Sequence, residues 1–190
     1  MKIKINDVTI TATKGDITKW KGDIIVNASN SGLFGGGGVD GAIHRAGGPQ
    51  IAVECALIRQ KRGGCLPGEA AITSAGELSA RHIIHTVGPI WKGGGGLEVA
   101  TLAQCYRSTL ALACEHGAQS ISFPNISTGI YRFPKDLACK TAVETVIQFI
   151  QSTEAKSITL RSIDFICYEK ENVELYEAEL NHYNKHNSNI

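Results

Sequence analysis

Residues 23–41 read DIIVNASNSGLFGGGGVDG, and this stretch decides the fold. Its apolar triplet, Ile24-Ile25-Val26, is continuous and β-branched, which marks a strand covered on both faces. A polar, glycine-rich connection follows, and a helix through Ile43 is expected to begin at about Asp40. Outward from here the same succession repeats. Apolar runs at 70–73 (AAIT), 82–87 (HIIHTV), 120–123 (SISF) and 163–168 (IDFICY) read as further strands. Helical periods alternate with them: the segment PQIAVECALIRQ from Pro49, then Val99, Leu102, Tyr106 and Leu110, then Ala138, Ala142, Val146 and Ile150, and last Val173, Tyr176, Leu180 and Tyr183. Ile3, Ile5, Val8 and Ile10 alternate around Asn6-Asp7, as an edge strand pair or one bent strand would. Strands taking turns with helices predict a three-layer α/β/α domain with one sheet between two helical layers. No linker divides the chain, so a single domain is expected over 1–184, with a polar, frayed tail at 185–190.

Composition narrows the possible functions. The 190 residues carry 19 basic against 18 acidic side chains, a net charge of +1, which excludes the basic footprint of a dedicated nucleic-acid binder. No apolar run approaches the roughly 18 residues of a spanning helix. The first sixteen residues alternate instead of forming a signal-peptide block, so the expected compartment is the cytoplasm. Six cysteines, at 55, 65, 105, 114, 139 and 167, form no C-x-x-C pair and read as buried reduced thiols, with no metal site expected. His182 and His186 have metal-ligand spacing, but they lie in the polar tail and read as solvated.

In an open α/β sheet, ligands sit beyond the carboxyl ends of the strands, and the unusual residues of this chain fall there. Gly36–Gly41 satisfies G-x-G-x-x-G, yet about ten residues separate it from the strand end and the acidic ribose partner is missing, so hydride chemistry is disfavoured. The phosphate-loop pattern G-x-x-x-x-G-K-[ST] is absent. Consecutive glycines do let main-chain amides approach an anion or a sugar closely. For Gly93–Gly96 the plainer reading is a disordered, exposed loop. Around Gly35–Gly38 the carboxamides of Asn27 and Asn30 and the carboxylate of Asp40 add chemistry, although by position Asp40 serves equally well as a helix cap. A second loop, ISTGIYRFP at 126–134, offers successive amides from Ser127 to Tyr131 as an anion nest, the alternative being a plain connection.

Five blocks in one order, GDIT at 15–18, IVNASN at 25–30, GGGGVDGAIHRA at 35–46, HTVGP at 85–89 and ISTGIYRFP at 126–134, closely resemble the macrodomain family, MacroD-type branch. FICYEKEN at 165–172 is similar to the bacterial O-acetyl-ADP-ribose deacetylases within it. The resemblance implies a mixed, mostly parallel six-stranded sheet with ADP-ribose in a cleft at its crest. Asp16 and the backbone of Ile17 would hold adenine and Tyr168 would stack on it. Ser127, Thr128, Gly129, Ile130 and Tyr131 would wrap the diphosphate from one side, and Gly36, Gly37, Gly38 and Val39 from the other. The distal ribose would lie among Asn27, Asn30, Asp40, Tyr131 and Phe133. The implied activity needs no cofactor: hydrolysis of O-acetyl-ADP-ribose and removal of mono-ADP-ribose from acidic side chains of proteins, with Asp40 activating water and Asn30 fixing the ribose. Three departures from the family pattern are Ser29 in NASN, Asn125, and Arg132 where glycine is frequent. Competing readings are a non-catalytic ADP-ribose reader, an RNA or protein regulator, and a thiol enzyme using Cys55 or Cys139. His44 and His85 read as satisfied structural residues.

Overall fold

The computed structural model describes residues 1–152 and 158–187. Strands β1 (Lys2–Ile5) and β2 (Val8–Lys14) open the chain, and a short 3-10 turn (Ile17–Lys19) leads into β3 (Gly22–Ala28). Helices α1 (Gly38–Gly47) and α2 (Pro49–Arg62), strands β4 (Ala70–Ser74) and β5 (Ala80–Thr86), and helix α3 (Glu98–Glu115) follow. Strand β6 (Ser120–Phe123), helix α4 (Lys135–Gln151), strand β7 (Ser162–Cys167) and helix α5 (Lys170–Asn187) complete it.

These strands form one sheet in the order β1-β2-β7-β6-β3-β5-β4. The five inner strands run parallel, and β1 and β4 are antiparallel edges. The sheet has seven strands where six were expected. The difference lies at the N-terminus, where Asn6 takes φ +51 and turns the chain into a true hairpin instead of one bent strand. Strand β3 is an inner strand, between β6 and β5, and has no solvent face. Ile24 and Val26 enter the core formed with α3, α4 and α5, while Ile25 enters the core with α1 and α2, and none of the three exceeds 1% exposure. The continuous apolar triplet is thus the sequence imprint of two helical layers.

Parallel pairing brings the C-terminal ends of β2, β7, β6, β3 and β5 to one edge of the sheet. The segments that follow them, around 15–16, 168–169, 124–134, 29–37 and 87–97, converge there. Gly93–Gly96 is exposed, but it is tied down, because the Glu98 carboxylate at the start of α3 accepts the backbone N–H of Lys92 (3.1 Å) and of Gly94 (3.3 Å). Helix α5 continues to Asn187, past the point where a tail was expected to begin; residues 188–190 and the side chain of His186 lie outside the described residues. All six thiols are free, and five are buried. Among the described residues no helix is long and apolar enough to cross a membrane.

Candidate active site

The converging loops enclose a cleft of about 750 Å³. One wall is the start of α1. Gly37 occupies the N-cap position and makes no side-chain cap, so Asp40 lies three residues into the helix and is not its cap. Its carboxylate is 94% buried, with Oδ1 accepting Asn27 Nδ2–H at 2.8 Å. Burial pushes the Asp40 carboxyl above its ordinary value of 3.8, while the bond from Asn27 and the nearby His44 imidazole pull the other way. Asn30 organises the glycine loop: its Nδ2–H donates to Gly35 O (2.8 Å) and its Oδ1 accepts Phe34 N–H (3.2 Å). A Cβ placed on Gly36 would stand 3.5 Å from Asp40 Oδ2 and 3.9 Å from Asn30 Nδ2, so both functional groups converge on that glycine.

The opposite wall is a closed loop. Ser127 O accepts Phe133 N–H (3.0 Å), Gly129 O accepts Arg132 N–H (2.9 Å), and Tyr131 O accepts Trp91 N–H (2.8 Å). Ser127 and Arg132 take φ +64 and +58, which reverses the chain and explains why glycine suits position 132. Arg132 is exposed and is not part of the cleft lining. Gly88 is required on the neighbouring strand end, because a Cβ there would fall 2.0 Å from Ser127 Oγ.

A buried polar cluster lies behind Asp40. His85 is fully buried, with Nδ1 3.1 Å from Asn27 Nδ2 and 3.4 Å from Ser29 Oγ, and Nε2 2.9 Å from Thr73 Oγ1. Burial drives its pKa down to about 3, so the ring is neutral at physiological pH. His44 Nε2 stands 3.4 Å from Asp40 Oδ1. His44, Cys55 and His85 bring three ligand-type atoms within 4.8 Å of one another. A metal there would have to displace the Thr73 hydrogen bond and a proton from Cys55, whose thiol burial pushes up to about 11.

Of the residues singled out from the sequence, Asp16, Ile17, Asn30, Gly36 to Asp40, Ser127 to Tyr131 and Tyr168 all line this one cleft. Tyr168 is 80% exposed, its ring available for stacking. Asp16 Oδ1 is engaged by Thr18, through the backbone N–H (2.9 Å) and the hydroxyl (2.7 Å), and the hydroxyl bond holds its carboxyl below the usual range. Two singled-out residues are not in the lining: Asn27 is buried behind Asp40, and Phe133 is 1% exposed with its ring 4.7 Å from that of Trp91. Ser29 and Asn125 do line the cleft, and Asn125 Nδ2–H donates to Cys167 Sγ (3.4 Å). Arg45, Lys135, Glu169 and Asn172 also line it, though sequence reasoning passed over them. Lys135 bridges Glu169 and Glu171 at 2.6 Å each, pairs more than thirty residues apart that leave no local signature. Arg45 could have been found from α1 itself, since it follows Ala42 by three residues on the cleft-facing side.

Fold and cleft define an α/β protein with a cleft walled largely by main-chain loops at the crest of the sheet. The family model for the Macro domain matches residues 26–142. The O-acetyl-ADP-ribose deacetylase 1 of Pantoea vagans is 51% identical over 172 residues, covering 90% of this chain and 98% of its own. The chain belongs to the macrodomain family. Among solved structures, the Oceanobacillus iheyensis macrodomain with ADP matches at a TM-score of 0.91 and 41% identity, covering 97% of this chain and 96% of that one. The Trypanosoma brucei macrodomain in complex with ADP-ribose matches at 0.79 and 38%, covering 89% of this chain and 68% of that one.

Proposed function

We propose that this protein is an ADP-ribosyl ester hydrolase. It binds ADP-ribose, deacetylates O-acetyl-ADP-ribose, and removes mono-ADP-ribose from acidic side chains of proteins. Adenine lies between Tyr168 and the Asp16–Ile17 turn, the diphosphate between Gly36–Val39 and Ser127–Tyr131, and the distal ribose by Asn30 and Asp40. The observation that carries this reading is the placement of Asp40. The cleft lining contains three carboxylates, Asp16, Asp40 and Glu169. Asp16 is engaged by Thr18 and Glu169 by Lys135, both on exposed ground. Asp40 alone of the three is buried, beside the glycine loop and Asn30.

A carboxylate whose pKa burial has raised is a better proton acceptor. Asp40 takes a proton from water as the water's oxygen bonds to the ester, Asn30 holds the ribose hydroxyls in register, and as the ester C–O bond breaks the proton held on Asp40 passes to the departing oxygen. The protein substrate is supported by a second depression of about 620 Å³, which meets the cleft at Gly88 and Tyr131 and is edged by the exposed Ile90 and Leu97. An acetyl group is far smaller than this space, whereas the chain flanking a modified side chain would reach it.

Acetate release from O-acetyl-ADP-ribose, measured beside calorimetric binding of ADP-ribose, tests the proposal. Asp40→Ala is expected to keep binding and to lose turnover by about 10² to 10⁴. Tight binding without turnover by the unmodified protein would make it a reader, and full turnover by Asp40→Ala would remove Asp40 as the base. Release of ADP-ribose from a mono-ADP-ribosylated acidic peptide tests the protein branch separately.

A further inference from the structure

We propose that Thr73, which lies outside the cleft, is a positioning residue for Asp40: it fixes the tautomer of His85, and through it the orientation of the Asn27 amide that donates to the carboxylate. This rests on the reading of Asp40 as the base.

The chain of constraint starts on β4. Thr73 Oγ1 has one hydrogen and stands 2.9 Å from both Ser74 O and His85 Nε2; the carbonyl can only accept, so both contacts are hydrogen bonds only when the hydroxyl donates to Ser74 O and accepts from Nε2–H. Nε2 therefore carries the ring proton. The buried ring is neutral and has no second proton, which leaves Nδ1 bare. Nδ1 stands 3.1 Å from Asn27 Nδ2 and 3.4 Å from Ser29 Oγ; a bare nitrogen accepts, and its nearer donor is the Asn27 amide presenting its NH2 side. The NH2 has two hydrogens: with one on His85 Nδ1 and the other on Asp40 Oδ1 at 2.8 Å, Ser29 Oγ at 3.0 Å only shares them. The opposite tautomer would require the Asn27 carbonyl oxygen opposite Nδ1–H, and that oxygen would then confront the Asp40 carboxylate with no hydrogen between them.

Sheet register makes the relay possible. Asn27 pairs with His85 across β3 and β5, and Thr73 sits one diagonal step away on β4, where its partner is Ile83. The whole path is buried, so water does not stand in for a missing donor. The titratable groups packed on it are His44 from α1, with its ring centroid 6.2 Å from that of His85, and Cys55 and Glu54 from α2, with Cys55 Sγ 3.9 Å from His85 Nε2.

The test uses the full chain and needs two readouts. Nitrogen-15 NMR of the histidine rings should show the buried His85 protonated at Nε2 in the unmodified protein; protonation at Nδ1 overturns the inference without any variant. Thr73→Val keeps the shape but removes the acceptor, and its acid limb of kcat/KM on O-acetyl-ADP-ribose should move up by about 1 to 2 pH units while the plateau above it stays. Thr73→Ser restores the acceptor and should restore the limb. A merely structural role would lower activity evenly at all pH values, and that result, like a Thr73→Val profile superimposable on the original, refutes the relay. If Asp40→Ala retains full turnover, the base assignment fails instead, a result the NMR measurement does not depend on.

Discussion

Gly41→Ala tests whether the glycine loop and the start of α1 form one rigid anion-binding surface. Gly41 lies inside the helix, where alanine is ordinarily preferred by about 1 kcal/mol. Here an alanine Cβ would stand 2.2 Å from the carbonyl oxygen of Gly36, against the 3.4 Å at which ordinary contact begins, so the loop must retreat by about 1.2 Å. The other close atom, an Arg45 guanidinium nitrogen at 3.0 Å, is the tip of a flexible side chain and can swing away. Overpacking of this kind costs about 1 to 3 kcal/mol, so the helix preference offsets part of it and the net destabilisation should be at most about 2 kcal/mol. Function should suffer far more, because a displacement near 1 Å of groups that hold reacting atoms costs about 10²-fold. Acetate release from O-acetyl-ADP-ribose and calorimetry with ADP-ribose, together with thermal unfolding, separate turnover and binding from stability. Gly37→Ala is the control for stability: nothing in the protein lies within 4 Å of its Cβ, and its backbone at φ −89 and ψ −174 suits any residue, so the fold should persist. Wild-type affinity in Gly41→Ala would show that the Gly36 carbonyl can move freely and that the loop does not set the ligand's position.

Two further outcomes follow from buried titratable groups. Asp40 is pushed above 3.8 chiefly by burial, so the folded state holds that proton more tightly than the unfolded chain, and stability falls as pH rises from 3.8 through the raised folded value. Asp40→Asn should therefore melt higher than the unmodified protein at pH 7, and the gap should close below about pH 4 in a series of melting curves. Burial raises the Cys55 and Cys65 thiols to about 11 and Cys139 further still, so a chromogenic disulfide added to the native protein should react mainly at the half-buried Cys114, and all six should report after denaturation.

Most of the cleft was legible because its residues act through local chemistry. The amides of 36–39 and 127–131 follow strand ends, and strand ends can be read from apolar runs such as Ile24–Val26 and Ser120–Phe123. Arg132 shows the limit of such reading: the sequence flags it as unusual, but only the backbone reveals that its left-handed φ aims it away from the cleft. The N-terminal alternation around Asn6 was likewise compatible with one strand or two, since both have the same period, and the seventh strand depended on a single backbone torsion.

Asp40 separates what the two levels of description decide. By itself the sequence determined that a carboxylate begins a helix beside four glycines, and at that level a cap and a catalytic base are indistinguishable because both need the same position. Tertiary structure removed the cap reading, placing Gly37 at the cap and burying Asp40 against Asn27. The physical reason is that periodicity records which face of an element is dry, whereas the hydrogen-bond partners of a buried group come from other strands. Asn27, Thr73 and His85 stand on β3, β4 and β5, up to 58 residues apart, and they meet only when the sheet sets its register.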